Sequence, residues 1–226
     1  MRGAVLAWAL LSAGCATTKR CAPELVPPPL TCFERIGHFD FRENAPGGPN
    51  SLDDFSRAVQ PGDLIVTCMD LKRALWRRQW IFTVLPCGHS MMVLDPTDPK
   101  GLFECRFHGA QKVGPEELLQ YSHCEVYRLR DRRFLDMARL NEFANAACER
   151  VKGYDPKGWV GINPEMAPET EEQISSKYTC SNFVAAAYYY AGVSLSAGRE
   201  TTNVITPLSL AASTAAASRR TANSGD

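Results

Sequence analysis

The chain is poor in the residues that most often announce a site. It has four histidines in 226 residues, and its nine cysteines, at 15, 21, 32, 68, 87, 105, 124, 148 and 180, include no CxxC and no pair at zinc-finger spacing. Neither a zinc finger nor a dithiol redox motif is therefore written in the sequence. Excess charge is missing too, since 25 Lys and Arg balance 25 Asp and Glu. Without a basic stripe there is no electrostatic footprint for nucleic acid. The densest basic run, RLRDRR at 128–133, reads as a solvated helix start. No internal repeat is present. With 45% hydrophobic residues the chain can bury one good core, so one globular domain is the expectation.

The ends are expected to lie outside that domain. In MRGAVLAWALLSAGCATTKR, Arg2 precedes an apolar run at 4–11 that is too short to span a bilayer, and small residues then lead to Cys15. This resembles a bacterial lipoprotein signal, with Cys15 lipidated and the protein held at the membrane of the cell envelope. Ser12 stands where that signal usually has leucine, so an uncleaved anchor or an ordinary export signal is the alternative. A large-virus origin would suit the cysteine count better. Residues 21–60 read as a Pro/Gly-rich tether with one helical turn from Ser51, and Cys21 and Cys32 are the pair to test for a disulfide. Residues 197–226 read as an Ala/Ser/Thr-rich tail, disordered at its end.

Between them, 61–196 is expected to fold as α+β, a small antiparallel sheet packed with helices. GDLIVTCM at 62–69 is a strand opened by a turn. DLKRALWRRQWIFTVL at 70–85 has Leu71, Leu75, Ile81 and Leu85 near helical spacing behind Asp70 as N-cap. SMMVLD, a PTDPKG turn and LFECRF form a hairpin, PEELLQY a short helix, and CEVYRL a further strand. An amphipathic helix spans 131–151, with Phe134, Met137, Leu140, Phe143, Ala147 and Val151 on one face. A long loop at 152–173 separates it from a last helix that starts near Cys180 and ends near Gly192.

Cys180 is the candidate with chemistry attached. A thiol becomes a good nucleophile where a protonated histidine or a helix N-terminus lowers its pKa. If Ser176 or Thr179 caps the helix, the first backbone N–H groups point at an oxygen bound beside the sulfur. Of the four histidines, His38 lies ahead of the expected core, His108 ends a strand and His123 sits between short elements. His89 opens an apolar strand after Gly88 and is the best-placed base. Glu104 is out of keeping with the apolar strand around it. Counting back through the turn sets it nearly opposite Met91, so His89, Met91 and Glu104 can share one face, with the carboxylate orienting the imidazole. Cys87 is a rival nucleophile without a helix behind it. Packing of Cys180 as a small hydrophobe, and solvation of Glu104, are the bland alternatives.

PGDLIV at 61–66, GHSMMVLD at 88–95, LFECRF at 102–107, KGYD at 152–155 and YTCSNFVAAAYYYAG at 178–192 resemble, in order and spacing, the permuted papain-fold hydrolases, closest to the YiiX/YaeF-type amidases of the NlpC-like group. In that group the histidine strand precedes the cysteine helix. The resemblance implies Cys180 as nucleophile, His89 as general base and acid, and Glu104 as the group that orients His89. It implies no metal or organic cofactor. The substrates it implies are amides or esters, on cell-wall peptides or lipid-linked molecules. Asn182 departs from the acidic residue frequent there, and Tyr178 stands two places before the cysteine rather than one. Three rivals follow: acyl transfer by the same site, a membrane-tethered binding or scaffold protein without turnover, and a redox role for the cysteines.

Overall fold

A computed structural model describes residues 33–42, 51–76, 87–155, 168–196 and 214–216. In chain order the elements are β1 (Phe33–Asp40), α1 (Ser51–Ala58), β2 (Leu64–Cys68), α2 (Leu71–Trp76), β3 (His89–Val93), β4 (Leu102–Arg106), β5 (Gly109–Val113), β6 (His123–Leu129), α3 (Met137–Arg150), β7 (Gly153–Tyr154), β8 (Lys177–Tyr178), α4 (Cys180–Tyr190), β9 (Ser194–Ser196) and β10 (Thr214–Ala216). Single 3-10 turns cover Pro115–Gln120, Arg132–Phe134 and Glu171–Gln173.

Six strands make one antiparallel sheet in the order β1-β6-β2-β3-β4-β5, which gives the α+β class. β2 is buried along its whole length because both faces of the sheet are covered. Strand alternation sends Leu64 and Val66 to one side, with Met92 and Phe103, under α3 and α4. Ile65 goes to the other side, with Met91, Val93 and Val126, under Phe55 of α1, Val59 just after it and Leu118. The PGD turn that opens β2 is fixed from two directions. Arg128 brackets the buried Asp63 carboxylate at 2.7 and 2.9 Å, and Tyr188 of α4 donates to the Gly62 carbonyl at 2.7 Å.

Several expectations shift. The segment read as tether contains β1, which pairs with β6 as the sheet's edge, and α1, whose Phe55 is fully buried. The domain therefore begins well before 61. The Pro/Gly signal hid an alternating strand, FERIGHFD, that has few apolar residues because it is half solvated. In α2, Leu71 and Leu75 are 58% and 50% exposed and Ala74 is the buried residue, so the expected apolar face is not the packed one; residues 77–85 lie outside the described residues. Asp70 contributes its carbonyl, which accepts from the Ala74 N–H. α3 starts at 137 rather than 131: Asp136 caps it by accepting from Ala138 and Arg139, and a 3-10 turn precedes it, leaving Phe134 exposed. The expected tail contributes β10, paired with β9. β5 has no counterpart in the sequence reading.

β5 begins at Gly109, with φ of +108°, and a Cβ there would lie 2.0 Å from the Val151 carbonyl oxygen. Both the left-handed backbone and the close approach of another main chain require glycine. Gly109→Ala is expected to cost at least about 2 kcal/mol, read as a lower denaturation midpoint with an unchanged m-value.

Candidate active site

The β3–β4 register sets Met91 opposite Glu104, as counting through the turn predicts. His89, two residues before Met91, then shares its face with Glu104, and Nε2 of His89 lies 2.8 Å from Oε2 of Glu104. A carboxylate is the acceptor here, so the ring carries its proton on Nε2 and presents Nδ1 elsewhere. Glu104 is fully buried, a position that is costly for a charge unless every lone pair is used. Its second oxygen, Oε1, accepts from Gln111 at 2.7 Å and lies in an ion pair with Arg106 Nε at 2.7 Å. Gln111 is there because it is Glu104's partner across the β4–β5 ladder, and Arg106 because it is two residues along β4. Arg106 in turn reaches Glu117 at 2.5 Å and the Tyr121 hydroxyl at 3.2 Å. Burial pushes the Glu104 carboxyl up, but the imidazole and guanidinium beside it prevail and hold it below the usual value. Tyr121 also lies parallel to the His89 ring, with centroids 6.1 Å apart.

Cys180 is the first residue of α4. Thr179 caps the helix: its hydroxyl accepts from the Asn182 N–H at 3.2 Å and its carbonyl from Phe183 at 2.9 Å. The N–H groups of Cys180 and Ser181 precede the first bond of the helix ladder and so have no acceptor within it. Phe183 anchors the first turn between Phe103, Phe143 and Tyr178, at ring distances of 4.6 to 5.7 Å. The far end is closed by Gly192 at φ +92°, where Gly192 donates to Tyr189 and Val193 to Tyr188, a Schellman cap. The helix bearing the thiol is thus held at both ends.

The sulfur of Cys180 is almost wholly buried. The Tyr154 hydroxyl lies 3.7 Å from it and the Gly88 carbonyl oxygen 3.8 Å, and the His89 ring and the Ser90 N–H are close enough to stabilise its thiolate. Burial alone would raise the thiol, but the imidazole and the two other donors lower it to about 6. Burial lowers His89, while Tyr121, Cys180 and Glu104 carry it well above its ordinary value. Near neutral pH the pair is a thiolate and an imidazolium, backed by a carboxylate. The other free cysteines among the described residues behave oppositely: burial pushes Cys105 up to about 12 and raises Cys124 and Cys148 as well.

The three residues singled out from the sequence, Cys180, His89 and Glu104, therefore meet. Cys87 is no free thiol, because it forms a disulfide with Cys68. His108 is on an exposed turn, and His38 and His123 lie against each other at a ring-centroid distance of 4.7 Å, their planes tilted by 38°. Cys15, Cys21 and Cys32 lie outside the described residues. Asn182, the departure from the acidic pattern, is buried with neither amide atom hydrogen-bonded among the described residues. Four members of the site escaped the sequence reading. Gln111 was recoverable only by placing β5, Arg106 lay two residues along LFECRF from Glu104 and was passed over, and Tyr154 sits in the KGYD run with no assigned role. Tyr121 follows a helix that gives no hint of its contact with His89.

No family model matches the chain, and comparison with curated proteins and with solved structures gives no significant match.

Proposed function

We propose that the chain is a cysteine-dependent hydrolase of the permuted papain type, cleaving amide or ester bonds through an acyl-enzyme. The observation that carries this reading is the meeting of the buried Cys180 thiol, at the start of α4, with a His89 ring whose Nε2 lies 2.8 Å from the buried Glu104 carboxylate. A lone structural cysteine requires no lowered pKa, and a buried glutamate is an expensive way to fill a strand. The order of parts, with the histidine hairpin before the cysteine helix, is that of the resembling family.

The chemistry follows from the geometry. The Cys180 thiolate attacks the carbonyl carbon, and the oxygen that becomes negative is met by the free N–H groups of Cys180 and Ser181. Imidazolium His89 passes its proton to the departing amine or alcohol as the tetrahedral intermediate collapses to a thioester. The neutral ring then takes a proton from water, whose oxygen attacks the thioester, and returns it to the Cys180 sulfur. Glu104 keeps the ring in the right tautomer throughout. No step calls for a cofactor. Transfer to another acceptor in place of water is the same reaction with a different second half. Phe107, 77% exposed, packs on Tyr154 at 5.2 Å, so an apolar surface adjoins the nucleophile and favours an acyl group with apolar character, such as a lipid-linked amide or ester, beside cell-wall peptides.

An envelope location through a lipidated Cys15 belongs to the same proposal. Among the described residues no helix is long and apolar enough to cross a membrane.

The test is mass spectrometry of the intact protein after mixing with p-nitrophenyl acyl esters, N-acyl amides and cell-wall peptides. A transient acyl adduct on Cys180, released with turnover and absent in Cys180→Ala, is expected. A folded protein that forms no adduct with any of these classes would replace this reading with that of a non-catalytic scaffold.

A further inference from the structure

We propose that Cys68, Cys87 and His123 form a second site, one that binds zinc or a similar thiophilic divalent cation and is opened by reduction of the Cys68–Cys87 disulfide. Cys68 closes β2, Cys87 lies just ahead of β3, and His123 opens β6. The β2–β6 register places Cys68 directly opposite His123. One ligand atom from each of the three residues lies within 4.8 Å of the others. Two sulfurs and one imidazole are a set that zinc prefers over oxygen-seeking cations, and three protein ligands leave a fourth tetrahedral position open. The His38 ring on β1 lies 4.7 Å from that of His123, with its Nδ1 3.9 Å from Glu125.

The placement favours a site over a bare cross-link. A structural disulfide has no use for an imidazole beside its sulfurs, and here a histidine from a third strand supplies one. Cys68 and His123 sit at facing ends of hydrogen-bonded strands, and the disulfide holds Cys87, two residues before β3, against Cys68, which fixes their separation as a metal site requires. Sequence spacing could not reveal the group, because the cysteines are 19 residues apart and the histidine comes from a different hairpin.

The two states exclude each other. While the sulfurs are bonded to one another they carry no charge for a cation. A dithiol reductant transfers two electrons and two protons to the bond, leaving two thiols and becoming a disulfide itself. Cation binding then displaces one proton from each thiol, giving two metal–thiolate bonds and one bond to neutral imidazole. Because Cys87 is two residues from His89, and Thr67 beside Cys68 lies 3.4 Å from the His89 carbonyl, occupancy is felt at the start of β3. The inference does not depend on Cys180 being a nucleophile.

The experiment titrates the full chain with zinc chloride and, in parallel, cobalt chloride. The background is Cys180→Ala, which removes the other thiolate–imidazole pair. After dithiol reduction, one equivalent is expected to bind, with a thiolate-to-cobalt band in the near ultraviolet; the disulfide form is expected to bind at least about 100-fold more weakly. Cys87→Ser should abolish the band, and His123→Ala should weaken binding about 10- to 100-fold. His123→Ala keeps the disulfide, so its fold can be verified in the oxidised state first. Equal binding by the oxidised and reduced forms would overturn the proposal. So would binding that survives both substitutions, or a folded, reduced protein that takes up no cation.

Discussion

Alkylation of Cys180 by iodoacetamide is expected to rise with pH around a midpoint near 6, and in His89→Ala that midpoint is expected to move to 9 or above, since burial remains when the imidazole is gone. The rate at a single pH is a poor readout of this change. A shift of three units lowers the thiolate fraction at pH 7 by about 90-fold, but the more basic thiolate is intrinsically about 20-fold more nucleophilic at a Brønsted slope of 0.4–0.5. The two effects nearly cancel, leaving a rate only about five-fold lower. The midpoint and the plateau carry the information: the first moves up and the second rises. A wild-type midpoint near the ordinary thiol value would show that no ion pair forms. For turnover the sign differs at high pH. The thiolate forms above about 6, and the protonated ring needed for the leaving group is lost as pH climbs through the raised His89 value, so the profile is a bell.

The second large effect is structural. Glu104→Ala removes the one group that binds His89, Gln111 and Arg106 together, leaving a half-buried guanidinium with Glu117 and the Tyr121 hydroxyl and two donors without an acceptor. Removing one partner of a buried pair costs about 3–5 kcal/mol; Arg106 is 26% exposed at its side chain, which places the expected loss near the lower end, about 3 kcal/mol. Glu104→Gln keeps the volume and one acceptor and is expected to lose less, about 1–2 kcal/mol. Denaturant melts across pH separate charge from shape. Because the folded carboxyl sits below its ordinary 4.5, the advantage of wild type over Glu104→Gln is complete above pH 4.5 and fades as pH falls through the folded value. A gap independent of pH would mean that the carboxylate charge contributes nothing.

Much of this site was legible because strand arithmetic is rigid. A short hairpin with period-two alternation can set His89 and Glu104 on one face in only one register, and a polar residue inside LFECRF marked the place. The start of α4 was legible for a similar reason, since Thr179 and Cys180 stand at the boundary between a polar segment and a small-residue helix. What stayed hidden depended on non-local pairing. β1 is half solvated and carries glycine and charge, so its alternation was too weak to separate it from the tether. β5, GAQKV, has few strand-forming side chains and is held by β4 and the Val151 carbonyl instead. With β5 unplaced, Gln111 could not be set against Glu104. The Cys68–Cys87 bond needed the β2–β3 pairing of Thr67 with His89, which no count within one segment supplies.

The thiol and its partners are far apart in synthesis order. His89, Glu104, Arg106 and Gln111 lie on β3 to β5 and Tyr121 soon after them, whereas the sulfur arrives on α4, 92 residues after the Gly88 carbonyl it touches. A chain emerging from a ribosome therefore carries His89 and Glu104 before it carries Cys180. Until α4 docks, its cysteine is an ordinary thiol, protonated at neutral pH and slow toward electrophiles. The lowered pKa comes with the closing of the fold rather than with the appearance of the residue, so an unfinished polypeptide holds Cys180 as an unactivated thiol.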